Sequence, residues 1–136
     1  MIRARACTVA VLMLAAAPAA AQGRFDGLWR GSPTTDCTRT GRDGGALKIE
    51  DDVFYGVDAQ CVMSRPVDVR DMDAALYDMQ CEGSGGDWSE RALFMRAADG
   101  GLIMLWNGFA FKYDACPADP VAGTVTRSDD VGVTGD

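Results

Sequence analysis

The chain has 136 residues, 20 acidic against 13 basic side chains, a formal charge of −7 and no histidine at all. An acidic surface disfavours nucleic acid and anionic lipid as partners, because both repel it. The missing histidine removes Ser-His-Asp and Cys-His catalysis, imidazole general bases and His-ligated zinc.

Residues 1–21 have the three parts of a secretory signal. Arg3 and Arg5 form the basic start, residues 6–17 are apolar, and Ala19 and Ala21 fit an A-x-A cleavage site before Gln22. A membrane anchor is the competing reading, but a span needs about 20 apolar residues and this run is shorter. Cys7 sits inside the apolar run rather than at a cleavage site, which argues against a lipoprotein. Export to the periplasm or the medium is therefore expected. Cleavage would leave one domain by length and, by removing Arg3 and Arg5, take the charge from −7 to −9.

Residues 22–26, Gln-Gly-Arg-Phe-Asp, read as a short arm or a frayed terminus. Gly27-Leu28-Trp29-Arg30-Gly31 reads as a first strand. Residues 46–50 alternate, with Leu47 and Ile49 inward; Asp51-Asp52 turns the chain, and residues 53–57 return it. Residues 61–69 are extended, with Pro66 marking an edge or a bend. Residues 74–81 pair as a hairpin with a strand at 88–97, across the glycine-rich stretch 83–87. In the 88–97 strand, Trp88, Glu90, Ala92, Phe94 and Arg96 share one face. Met72, Ala75, Leu76 and Met79 also match helical spacing, so a short helix over 70–79 is the alternative there.

The clearest signal is residues 102–113. Asn107-Gly108 between two apolar runs specifies a two-residue hairpin, because a type I′ turn needs positive φ at both central positions. The turn fixes the register: Trp106 faces Phe109, Met104 faces Phe111, and Leu102 faces Tyr113. All six then share one face, expected to be a core face. Residues 117–136 have no aromatic residue and read as a flexible, disordered tail. The pattern predicts a mainly β domain over 22–116, an antiparallel meander or barrel of about six to eight strands.

Four cysteines follow the signal: Cys37, Cys61, Cys81 and Cys116. An even number in a short exported chain predicts two disulfides. Of the three pairings, Cys61–Cys81 and Cys37–Cys116 are preferred: the first joins neighbouring strands, the second ties the start of the domain to its end. No Cys-x-x-Cys spacing supports a metal site.

Asp36-Cys37, Cys61, Cys81-Glu82-Gly83 with Trp88 soon after, Gly101 and Cys116-Pro117 together resemble small secreted four-cysteine proteins of Gram-negative bacteria. The resemblance spans about residues 25–117 and brings no established activity, but implies a periplasmic or secreted location. Gly27-Leu28-Trp29 also resembles the opening of lipocalin-like and bacterial protease-inhibitor barrels. That resemblance implies a tryptophan across the closed end near an arginine, here Arg91 or Arg96.

Carboxylates are the only abundant reactive groups. Glu82 and Glu90 flank the 83–86 loop, and a pair across a cleft is what glycoside hydrolysis needs; a solvated pair is the simpler reading. Asp51-Asp52 and Asp71-x-Asp73 lack the spacing of a calcium loop and read as turns. Trp29, Trp88 and Trp106 are the candidate ligand-binding residues if the interior is a cavity, and core residues if it is filled. The expectation is a non-enzymatic, monomeric binding or inhibitory module without metal or cofactor, acting by surface contact on an envelope or secreted protein. The alternative is a small-ligand carrier using a barrel interior.

Overall fold

A computed structural model describes residues 23–118, and the expected signal peptide and nearly all of the expected tail lie outside them. Nine strands follow in chain order: β1 (Gly27–Arg30), β2 (Asp36–Thr40), β3 (Gly45–Glu50), β4 (Val53–Gly56), β5 (Ala59–Asp68), β6 (Ala74–Gly83), β7 (Gly86–Arg96), β8 (Leu102–Trp106) and β9 (Phe109–Ala115). From β3 to β9 each strand pairs antiparallel with the next; β9 pairs with β1, and β1 returns to β3. The sheet thus closes into an eight-stranded barrel, with β2 added alongside β3 in a short, irregular parallel pairing. Among the described residues there is no helix, so residues 74–79 belong to β6 and not to the alternative helix.

Turn chemistry explains much of this path. Asp51 and Asp52 both adopt positive φ in the two-residue β3–β4 turn; in the β8–β9 turn only Gly108 does, at φ 86°, so that turn is not the type I′ expected from Asn107-Gly108, although its register is the expected one. Asn and Asp tolerate this region better than other side chains, and glycine adopts it freely. Asp71, at φ 62°, sits in the β5–β6 connection. Pro66 lies in a bulge of β5, where the register with β6 shifts between Ser64 and Val67. The β4–β5 ladder has ended at Val62, so the missing N–H of Pro66 costs no bond on that side.

Both disulfides form in the preferred pairing, consistent with an oxidising, extracytoplasmic location. Cys61 and Cys81 are directly opposite on β5 and β6, with Cα atoms 4.0 Å apart and both side chains buried. Cys37–Cys116 ties β2 to the residue after β9 across a separation of 79.

One end of the barrel is sealed. Phe25 is buried there, packing edge-on to Tyr77 at 6.2 Å and tilted against Phe94 at 6.0 Å. Trp29 donates its indole N–H to the Phe25 carbonyl at 3.2 Å. Arg96 lies over the Trp29 ring at 4.9 Å and donates to the Arg24 carbonyl at 2.9 Å. Arg24 pairs in turn with Asp68 at 2.6 Å and Asp73 at 2.8 Å, next to the β5–β6 turn. Residues 24–26 are thus a strapped-down plug, because a phenylalanine ring gains more by burial than a short segment gains by fraying.

Candidate functional site

Among the described residues, the other end of the barrel is open. Alternation along β7 turns Ala92 and Phe94 inward, and by the same period of two it turns Trp88 and Glu90 inward. The register Cys81↔Trp88 and Met79↔Glu90 agrees, since Cys81 and Met79 are buried interior residues. On β9 the inward row is Phe109, Phe111 and Tyr113, with ring centroids 6.3 Å and then 6.2 Å apart. The hairpin register is the expected one, with Leu102↔Tyr113, Met104↔Phe111 and Trp106↔Phe109.

The expected burial of that face is only half met. Leu102 and Met104 are in the core, but Phe109 is 66% and Phe111 43% exposed. The reason is topological: β1 ends at Arg30 opposite Asp114, so it covers only the far end of β9. The near end, with Phe109 and Phe111, stands at a rim that no described segment covers.

These residues bound a cavity of about 430 Å³. Trp88, Trp106, Phe109, Phe111 and Tyr113 form much of its wall, with Phe54 and Cys61 below them. Phe54 packs against Trp106 at 5.9 Å, which ties the floor to the wall. A Cβ on Gly83 would lie 3.0 Å from the Trp88 ring, so glycine there makes room for the indole. Burial pushes the Tyr113 hydroxyl above its ordinary pKa, since ionising it would place a charge among rings. A lining of this kind offers an occupant apolar contact and ring stacking.

Of the candidate tryptophans, Trp88 and Trp106 line this cavity together. Trp29 does not; it is buried in the plug at the sealed end. Arg96 is the arginine that covers Trp29, whereas Arg91 pairs with Asp78 at 2.8 Å on the outer face. Glu82 and Glu90 do not face each other. Glu82 is exposed and pairs in register with Asp87 on the outer face, and Glu90 points inward. No cluster of three or more potential metal ligands occurs among the described residues. Glu90 and Phe54 were not singled out for this site, although Glu90 sits two and four residues before Ala92 and Phe94 and so carried a readable signal.

A larger hollow of about 660 Å³ lies outside the barrel, beneath β2. Its lining is mixed, with Leu28, Cys37 and Ile49 beside the charged Asp26, Lys48 and Glu50. Its lysine is already engaged, Lys48 meeting Glu50 at 2.6 Å.

No helix among the described residues is long and apolar enough to cross a membrane. Comparison of the chain with protein-family models, with curated proteins and with solved structures gives no match.

Proposed function

We propose that the chain is an exported, non-enzymatic binding protein that holds a small apolar, ring-bearing ligand in the open end of its barrel. The observation that carries this reading is the exposure of Trp88, Phe109 and Phe111 on the inner face of a closed sheet, around a cavity of about 430 Å³. Exposed rings gathered in a concave site mark a binding surface rather than a core. A periplasmic or secreted location fits the signal-like start and the two disulfides.

Titration with N-phenylnaphthylamine, a neutral dye that brightens in apolar surroundings, tests the reading. Saturable binding is expected, with loss of that binding in Ala59→Phe, which fills the mouth from the opposite wall. A dye signal no larger than with the Ala59→Phe protein would overturn it.

A second reading, surface contact with a cationic envelope or secreted protein, is supported by the formal charge and by the carboxylates of the hollow under β2. Its signature would be a stoichiometric complex that dissociates as salt rises, since exposed charges are screened.

A further inference from the structure

We propose that the ligand of the barrel mouth carries a cationic head beside its apolar body, and that Glu90 receives that charge. This rests on the mouth being the ligand site and specifies the chemistry of what enters it. Among the described residues Glu90 is the only charged side chain lining the cavity, and no lysine or arginine shares the lining.

Its circumstances differ from those of the nearest comparable carboxylate. On the outer face of the same hairpin, Asp78 holds two cations, Arg65 at 2.6 Å and Arg91 at 2.8 Å. Among the described residues Glu90 forms neither an ion pair nor a side-chain hydrogen bond. It is partly buried, with Trp88 two residues before it on the same face. Trp106 lies one register step beyond the last β7–β8 pair, Leu93 with Leu105, which sets it diagonal to Glu90.

Two kinds of attraction therefore converge on one point. A carboxylate attracts a cation by charge, and the faces of Trp, Phe and Tyr rings attract it through their quadrupoles. A neutral occupant would cover Glu90 without pairing it, and an unpaired carboxylate taken out of water is costly. An anionic occupant would add repulsion. The acidic chain as a whole favours the approach of a cation in the same sense.

The test uses three compounds with one apolar body and three heads: phenylbutylamine, phenylbutanol and phenylbutyrate. Each is titrated by calorimetry into the disulfide-intact protein and into Glu90→Gln. The amine is expected to bind at least about tenfold more tightly than the alcohol, and the acid most weakly. In Glu90→Gln the amine should fall to within about twofold of the alcohol, while the alcohol binds as well as before or more tightly because no carboxylate is covered, which also shows that the variant is folded. Equal affinity for amine and alcohol in the unaltered protein, or a preference that survives Glu90→Gln, overturns the inference and leaves the apolar site standing. Failure of all three compounds to bind while N-phenylnaphthylamine binds overturns the inference alone. Failure of the dye as well overturns the site with it.

Discussion

At the sealed end of the barrel Phe94 is 0% exposed, whereas at the open end Trp88, six residues earlier on the same face of the same strand, is 42% exposed. Both side chains point inward from a closed sheet. The difference lies in what caps each end. Phe25 comes from outside the sheet to fill the space around Phe94, Tyr77 and Trp29, and no described segment does the same around Trp88 and Phe109. The barrel therefore divides its rings along its axis, one group held by neighbours and one left exposed by the described residues. Stability and binding should be separable by mutation, a substitution at one end moving one property and not the other.

The largest effect should come from the longer of the two cross-links. Replacing Cys37 and Cys116 together by alanine removes a bridge across a separation of 79 residues, and the chain-entropy account gives a loss of about 4.5 kcal/mol. Urea unfolding of the double variant measures it. Phe94→Ala should cost about 4 kcal/mol, because the ring is fully buried among Phe25, Phe54 and Tyr77 and leaves a void. Dye affinity of the folded fraction should fall less than with Phe109→Ala, although Phe94 also touches Phe54 and Trp106 of the cavity, at centroid distances of 6.1 and 6.5 Å; a loss as large as that of Phe109→Ala would break the separation of the two ends.

Arg96→Ala removes the cation over Trp29 and the hydrogen bond to the Arg24 carbonyl, so it should cost about 1 to 2 kcal/mol at the sealed end. Phe109→Ala should alter stability by no more than about 0.5 kcal/mol. It should nevertheless weaken dye binding by about fivefold, the inverse of the Phe94 result.

The smallest effect concerns acid. A hydrogen bond from Arg91, together with the charge of Arg65, holds the Asp78 carboxyl below its ordinary pKa. Its contribution to stability is complete above the ordinary carboxylate range and is lost as pH falls through the lowered value. Asp78→Asn should remove that part of the acid limb in unfolding measured against pH. Asp36, lowered mainly by Thr38, and Asp99, lowered mainly by Lys112, should retain theirs.

The sequence made the hairpins legible because their turns are local. Asn107-Gly108 set the β8–β9 register, and alternation told which residues share a face. Neither can say whether that face is covered, since covering depends on β1 stopping at Arg30 beside Asp114, far away in the chain. Phe25 gave no signal because a lone ring among Gly, Arg and Asp has no period. The strand β2 escaped for a related reason: Asp-Cys-Thr-Arg-Thr has one apolar residue, and its place is tied to Cys116 rather than to any pattern of its own. Glu90 was legible by parity but stood out first as a neighbour of the glycine-rich loop. Trp29 drew attention beside Trp88 and Trp106 because residue type alone does not distinguish a plug from a wall.

The closure of the sheet has a kinetic consequence. Most pairings join neighbouring strands, but the seam that completes the cylinder joins Trp29 and Arg30 to Ala115 and Asp114. A chain delivered N-terminus first cannot form that seam until the last strand has arrived. Pairings between such distant residues raise contact order and slow folding. The β5–β6 hairpin, with cysteines only 20 residues apart, can form and oxidise early, while Cys37 must wait for Cys116. During that interval the unjoined flanks of β1 and β9 are open to pairing with other chains, so the time before closure is when the molecule is most exposed to aggregation.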